Sequence, residues 1–226
     1  MPELTPANQK LRAEFNDWAA RGKGAAMARH HRAITERAMA GMDIKAGDRV
    51  LDLGCGSGWA TRLLATRVGP RGLVVGLDIS DAMIREAQQH AEAPRNARYL
   101  CAPAEQIPWP NDFFTHVLSV ENFYYYADQR AVLDELRRVS APGARLALLM
   151  CLYAGSPNAE RWISQLPVPV HVRTPKEYEA LLADAGWDRA RAEVFTPDPA
   201  DPAPDEHAWA CLVTAERGDP RQSTLL

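Results

Sequence analysis

Asp52 stands two residues ahead of a glycine-rich turn, Gly54-Cys55-Gly56-Ser57-Gly58, and a second aspartate, Asp78, follows 20 residues beyond the last of these glycines. Glycines between a strand and a helix let backbone NH groups approach a ligand, and the helix then aims its positive end at it. Three ligand classes use such a turn. A triphosphate-binding loop needs GxxxxGK[ST]; no lysine and hydroxyl follow these glycines, so that class is excluded. A dinucleotide turn needs GxGxxG, and Trp59 occupies the place of the third glycine, where its ring would hold the helix off the sheet; that class is disfavoured. The class that remains is a nucleoside with a short zwitterionic tail. Asp52 would repel a diphosphate but attract an ammonium group. Asp78 has the spacing of a carboxylate that accepts hydrogen bonds from ribose hydroxyls, which implies a ribose without a 2'-phosphate.

A second group of reactive types is the run Val120-Glu121-Asn122-Phe123-Tyr124-Tyr125-Tyr126. At the carboxyl end of a strand such a run lies where ligands bind in a doubly wound sheet. Phe123, Tyr124 and Tyr126 are the candidate substrate contacts, because aromatic faces stack on flat rings and attract cations. Alternate rings of the run are expected to pack on the core. Glu121, with His30, His31 and His171, supplies the candidate proton acceptors, histidine because it titrates near neutral pH. The four cysteines, Cys55, Cys101, Cys151 and Cys211, lie 40 or more residues apart. They lack the CxxC pairs of a zinc site and the density of a disulfide framework, so they read as reduced thiols and no metal is expected.

These residues need elements to position them. From Asp48 onward, short apolar runs alternate with helical segments, the rhythm of βαβ units around a parallel sheet. Strands are expected over 49–53, 73–78, 97–102, 115–120 and 145–152, with a last pair over 190–195 and 208–215 forming an edge hairpin. Helices are expected over 59–68, from a Ser80-Asp81 cap onward, over 129–139 with a stop at Pro142-Gly143, and over 175–185 with a stop at Gly186-Trp187. The fold class is therefore α/β, a doubly wound, seven-stranded, mostly parallel sheet with an antiparallel edge.

The organisation expected is one domain. Residues 1–43 form an N-terminal helical cap in two pieces, separated by the glycine-punctuated basic stretch RGKGAAMARHH. A cofactor-binding core follows over 44–153, then an irregular, proline-containing insertion over 154–174 on the substrate side. The C-terminal helix and edge strands cover 175–218, with a proline-rich surface loop, TPDPADPAPDEH, between the last strands, and 219–226 is a tail.

Of 226 residues, 46% are hydrophobic and 24% charged, which suits a globular chain with a sizeable interior, and a net charge of -3 provides no field to recruit nucleic acid. No run approaches the roughly 18 apolar residues of a membrane span, and MPELTPANQKLRAEF lacks a signal peptide's apolar core; integral membrane association is not expected and the cytoplasm is the expected compartment. Nothing in the sequence sets an oligomeric state.

VLDLGCGSGWAT, VVGLDIS and AEQIPWPNDFFTHVLSVENFYYY, in that order, resemble the class I S-adenosylmethionine-dependent methyltransferases, in particular the broad family around the ubiquinone and menaquinone biosynthesis methyltransferases. The resemblance covers roughly residues 30 to 187. It implies that Asp52, Gly54, Gly56 and Gly58 surround the methionine part of S-adenosylmethionine, that Asp78 binds the ribose, and that Ile79, Ala104 and Glu105 lie near the adenine, with Val120 beside the cofactor. Pro103 departs from the family pattern, since an aspartate often precedes the AE pair and proline offers neither NH nor carboxylate. The implied activity is in-line methyl transfer to a small-molecule acceptor. A non-catalytic S-adenosylmethionine-binding module and, more remotely, an NAD-linked oxidoreductase are the alternatives. Some related methyltransferases act on arsenic through cysteines, but Cys55, Cys101 and Cys151 lack ligand spacing for that chemistry.

Overall fold

The computed structural model describes residues 4–157, 159–196 and 209–219. Seven strands form one sheet in the order β3-β2-β1-β4-β5-β7-β6. The strands are β1 (Arg49–Leu53), β2 (Leu73–Asp78), β3 (Ala97–Cys101), β4 (Phe114–Val120), β5 (Ser140–Met150), β6 (Trp187–Phe195) and β7 (Ala210–Arg217). β1 to β5 pair in parallel, and β7 runs antiparallel to both β5 and β6. Val50, Leu51, Val74, Val75, Val117 and Leu118 are all 0% exposed, as strands covered on both faces require.

The helices are α1 (Pro6–Ala20), α2 (Lys23–Gly41), α3 (Trp59–Val68), α4 (Asp81–Gln89), α5 (Gln129–Val139), α6 (Ala159–Gln165) and α7 (Pro175–Asp184). Side-chain caps fix several starts: Thr5, Ser80, Asp128 and Thr174 each accept from an amide of the first turn, and Glu177 completes a capping box on α7. α5 turns Val132, Leu133, Leu136 and Val139 to the core, as its spacing predicts. The strand order reverses between β1 and β4, so the carboxyl ends of these neighbours diverge into a crevice, the place where doubly wound sheets bind ligands.

Four local expectations change. The basic stretch between the N-terminal helices is itself helical from Lys23; the break is only Arg21-Gly22, with Gly22 left-handed at φ 67°. β5 begins at Ser140, ahead of the expected stop at Pro142-Gly143. Phe114 pairs with Ser140 and His116 with Arg145, so residues 141–144 bulge opposite Thr115, and Gly143 supplies the positive φ that the bulge needs. The insertion over 154–174 contains α6, and Trp187 starts β6 rather than ending a helix. The proline-rich loop from residue 197, the expected strand start at 208 and the tail beyond 219 lie outside the described residues.

α1 and α2 roof the crevice. Arg12 pairs with Asp81 at 2.8 Å, Asn16 donates to Asp81 at 3.0 Å and accepts from the Ser80 hydroxyl at 2.7 Å, and Asn8 donates to Glu105 at 3.2 Å. The Arg12 guanidinium holds the Asp81 carboxyl below the usual carboxylate range, with Asn16 and Arg85 acting in the same direction. α2 approaches the glycine-rich turn so closely that a Cβ on Gly24 would lie 2.7 Å from the Ser57 hydroxyl.

Candidate active site

The turn after β1 is built on left-handed glycines. Gly54 (φ 69°) donates its amide to the Leu77 carbonyl at 2.7 Å, and a Cβ at this position would meet the Asn122 side chain at 2.3 to 2.8 Å. Gly56 (φ 51°) faces open space and donates its amide to Asp78 at 2.9 Å. Gly58 (φ 77°) opens α3, and there a Cβ would meet the Tyr99 ring. The Asp78 carboxylate also accepts from the Ser80 amide at 2.8 Å. Burial raises its pKa, and the amides of Ser80 and Gly56 pull it back.

Asp52 is 1% exposed and accepts from the Thr61 hydroxyl at 2.5 Å. Burial pushes its pKa up to about 7, with the neighbouring Asp78 charge adding to the rise and the Thr61 hydrogen bond opposing it. The folded state therefore retains a proton that the unfolded chain loses near pH 3.8. The contribution of Asp52 to stability is fullest below that pH and is lost as pH rises through about 7, by on the order of 4 kcal/mol for a shift of this size. Asp52→Asn, which keeps an oxygen to accept from Thr61, is expected to flatten most of that slope. Asp78, also raised by burial, leaves a residual slope of the same sign. Thermal melts of the cofactor-free parent and Asp52→Asn chains across pH 4 to 8 check this, and the same pH dependence in both would count against it.

A cavity of about 870 Å³, counting the open space at its mouth, lies over this turn. Its floor includes Gly54, Gly56, Leu77, Asp78 and Ile79, one wall is formed by Ala102 and Ala104, and Val120, Glu121, Asn122, Tyr125 and Tyr126 close the far side. The roof carries Asn8, Leu11, Phe15 and Trp18 of α1 and Met27 and His31 of α2. Phe15 meets Tyr125 edge to face at 5.1 Å, so roof and wall touch through rings.

Residues 50–143 match the family model for a methyltransferase domain. The chain is 34% identical over 164 residues to the 2-phytyl-1,4-naphtoquinone methyltransferase of Synechococcus elongatus, an alignment covering 68% of this chain and 70% of that one. It is 32% identical over 168 residues to the 27-O-demethylrifamycin SV methyltransferase of Amycolatopsis mediterranei, covering 71% of this chain. That alignment takes in 61% of the rifamycin enzyme, so the chain spans less than two thirds of this relative's length. Among solved structures, the methyltransferase in complex with the Haloferax volcanii Trm112 activator superposes with a TM-score of 0.81 at 26% identity, over 91% of this chain and 98% of that one. The chain belongs to the class I S-adenosylmethionine-dependent methyltransferases.

S-adenosylmethionine is the cofactor of this family, and the geometry of this methyltransferase fits it. Gly56 leaves open space where a side chain would intrude, a buried carboxylate on Asp78 stands at the end of β2, and apolar Ile79 and Ala104 border the same cavity. Val120, Glu121, Tyr126 and His31 join them at its lining, whereas other expected contacts do not. Asp52 is buried against the Thr61 hydroxyl and Gly58 caps the start of α3, and neither lines the cavity. Glu105 turns to Asn8. His30 is exposed on α2 and His171 is exposed after α6; His171 joins the structure through its backbone, its amide donating to the Tyr124 carbonyl at 2.7 Å.

The aromatic run changes most. Phe123 is 0% exposed and packs against the Tyr126 and Tyr178 rings, and the Tyr124 hydroxyl donates to Glu121 at 3.1 Å, so neither ring lines the cavity. Tyr125 lines it instead. Residues Phe123–Tyr125 form a 3-10 turn, in which side chains step by a third of a circle rather than alternating. Asn122 also had no signal beyond its place in the run. Its amide donates to the Leu53 and Val120 carbonyls and its oxygen accepts from Ser119 and Tyr126, which ties β1 to β4 directly under the turn.

Proposed function

We propose that this chain transfers a methyl group in line from S-adenosylmethionine to a small, largely apolar acceptor. The observation that carries it is one continuous cavity. It runs from the Gly56–Asp78 floor to His31 and Glu121 beneath an aromatic and aliphatic roof. In this proposal Asp78 holds the ribose, Ile79 and Ala104 flank the adenine, Gly54 and Gly56 admit the methionine tail, and Val120 borders it. Residues 1–43 act as the cap, and the roof residues Leu11, Phe15, Trp18 and Met27 receive the acceptor with Tyr125 and Tyr126. Two of the relatives carry names with ring acceptors, a naphthoquinone and a rifamycin, which agrees with an apolar, aromatic pocket.

The cofactor supplies an electrophilic methyl on a sulfonium, and the chain's own work is to orient the acceptor and exclude water. His31 is 4% exposed at the acceptor end, with Nδ1 3.1 Å from the Met27 carbonyl. A carbonyl only accepts, so Nδ1 carries a hydrogen, and in the neutral ring Nε2 then carries the lone pair. For a hydroxyl acceptor, that nitrogen takes the proton released as the oxygen–methyl bond forms.

Radiolabelled methyl transfer to a panel of quinols, phenols, alcohols, amines and thiols tests the proposal; tight cofactor binding with no methylated product from any class would favour a binding module. His31→Ala is expected to lower kcat by about a hundredfold on a hydroxyl acceptor, the lower end for a lost general base, with the cofactor KM unchanged. His30→Ala should match the parent chain, and equal losses from both substitutions would sink the assignment.

A further inference from the structure

His31, Glu121 and Cys151 come from three separate elements, α2 and the segments following β4 and β5, yet one ligating atom from each lies within 4.8 Å of the other two. All three are buried, at 4%, 8% and 1% exposure. We propose that they form a binding site for a divalent, borderline-soft cation of the zinc type, with its remaining position open to the cavity.

Four observations support the site. The first is donor type: a nitrogen, an oxygen and a sulfur suit zinc, whereas magnesium and calcium take oxygen alone. The second is spacing. Neighbouring donors around a tetrahedral zinc stand about 3.5 Å apart given its bond lengths, so side-chain adjustments of about an ångström close the set.

The third is support behind the ligands. The Met27 carbonyl orients the His31 ring, and the two oxygens of Glu121 accept from the Tyr124 hydroxyl and the Cys151 amide. Each carboxylate oxygen keeps a second lone pair for a metal, and this backing is the kind that orients ligands elsewhere. The fourth is charge. Among the described residues no ion pair joins a lysine or arginine to Glu121, a residue only 8% exposed. A dication bound by one carboxylate and one thiolate leaves no net charge in the interior, which removes the main cost of burying them.

His31 and Glu121 line the cavity, so the fourth position faces the space assigned above to the acceptor. What fills that position, a water or an oxygen of the acceptor, rests on the proposed function; the cation site itself does not. A cation there would take the same His31 lone pair that otherwise accepts a proton, and the role of polarising the acceptor would pass to the metal.

Cobalt(II) tests the site in the full chain after chelator treatment, because thiolate-to-cobalt charge transfer gives a near-ultraviolet band and tetrahedral cobalt a strong visible one. One equivalent should give both bands. Cys151→Ser should abolish the charge-transfer band, His31→Gln should weaken cobalt binding at least tenfold, and Cys211→Ser should leave the spectrum unchanged. Thermal melts and S-adenosylhomocysteine titration show that each variant is folded. No thiolate band in the parent, or a band that survives Cys151→Ser in a folded variant, would overturn the site. The methyl-transfer panel reports separately. Transfer without the cobalt band retires the metal site alone; a band lost in Cys151→Ser, with no acceptor methylated, retires the acceptor assignment alone.

Discussion

Asp78→Ala is expected to weaken S-adenosylmethionine binding by about three orders of magnitude while leaving the chain folded. The carboxylate is buried at the carboxyl end of β2 and lines the cavity. Its proposed bonds to two ribose hydroxyls are charge-assisted, each contributing about 1.5 to 3 kcal/mol, so losing both reaches roughly the 4 kcal/mol that a thousandfold represents. A second loss acts through the turn. Asp78 accepts from the Gly56 amide at 2.9 Å and the Ser80 amide at 2.8 Å, and without it the loop proposed to admit the methionine tail keeps only its backbone bonds to Leu77 as ties to β2. Asp78→Asn separates the two effects. Its single oxygen can still accept one amide, so it should bind ligand better than alanine and worse than aspartate. Calorimetric titration with S-adenosylhomocysteine reads the affinity and a thermal melt checks the fold. An alanine variant within fivefold of the parent would remove Asp78 from the cofactor site.

The proposed cofactor side of the cavity was legible because its residues are neighbours in the chain. Gly54, Gly56 and Asp78 announce themselves by type and spacing, and backbone dihedrals of 69° and 51° at the two glycines explain why those types are needed. The sheet was legible for a related reason: parallel strands buried on both faces leave short apolar runs between turn residues, and β1 and β2 match the expected 49–53 and 73–78.

The proposed acceptor side was not legible, because its residues meet only in three dimensions. His30 and His31 are adjacent in sequence, but one step along a helix turns a side chain by about 100°, so one is exposed and the other buried over the cavity. Leu11, Phe15 and Trp18 carry the ordinary signal of an amphipathic helix, whatever they cover. Cys151 reads as a small core residue at the end of an apolar strand, and only the pairing of β4 with β5 brings it to Glu121. Metal-ligand spacing in sequence detects sites built from one or two segments; a site drawn from three leaves no such trace.

Gly54→Val has the largest expected effect on the fold, and its cause lies at the junction of the two sides. Gly54 has φ 69°, a conformation that costs a side-chain-bearing residue about 1 to 2 kcal/mol and a β-branched one more. The new Cβ would meet three Asn122 side-chain atoms at 2.3, 2.4 and 2.8 Å. Asn122 has little freedom to yield, because it donates to the Leu53 carbonyl and accepts from Ser119 at 2.9 Å and Tyr126 at 3.0 Å. Moving it breaks buried hydrogen bonds; leaving it in place overpacks the core, at about 1 to 3 kcal/mol. The combined cost is about 4 kcal/mol or more, which for a chain of this size lowers Tm by roughly 8 to 16 °C. Gly56→Ala provides the contrast, since its Cβ meets nothing within 4 Å and only the backbone strain remains. That variant should melt within about 4 to 8 °C of the parent while binding cofactor more weakly, its methyl group standing in the cavity. Should Gly54→Val melt as high as Gly56→Ala, Asn122 is not the rigid post that ties the turn to β4, and the glycine at 54 serves the ligand rather than the fold.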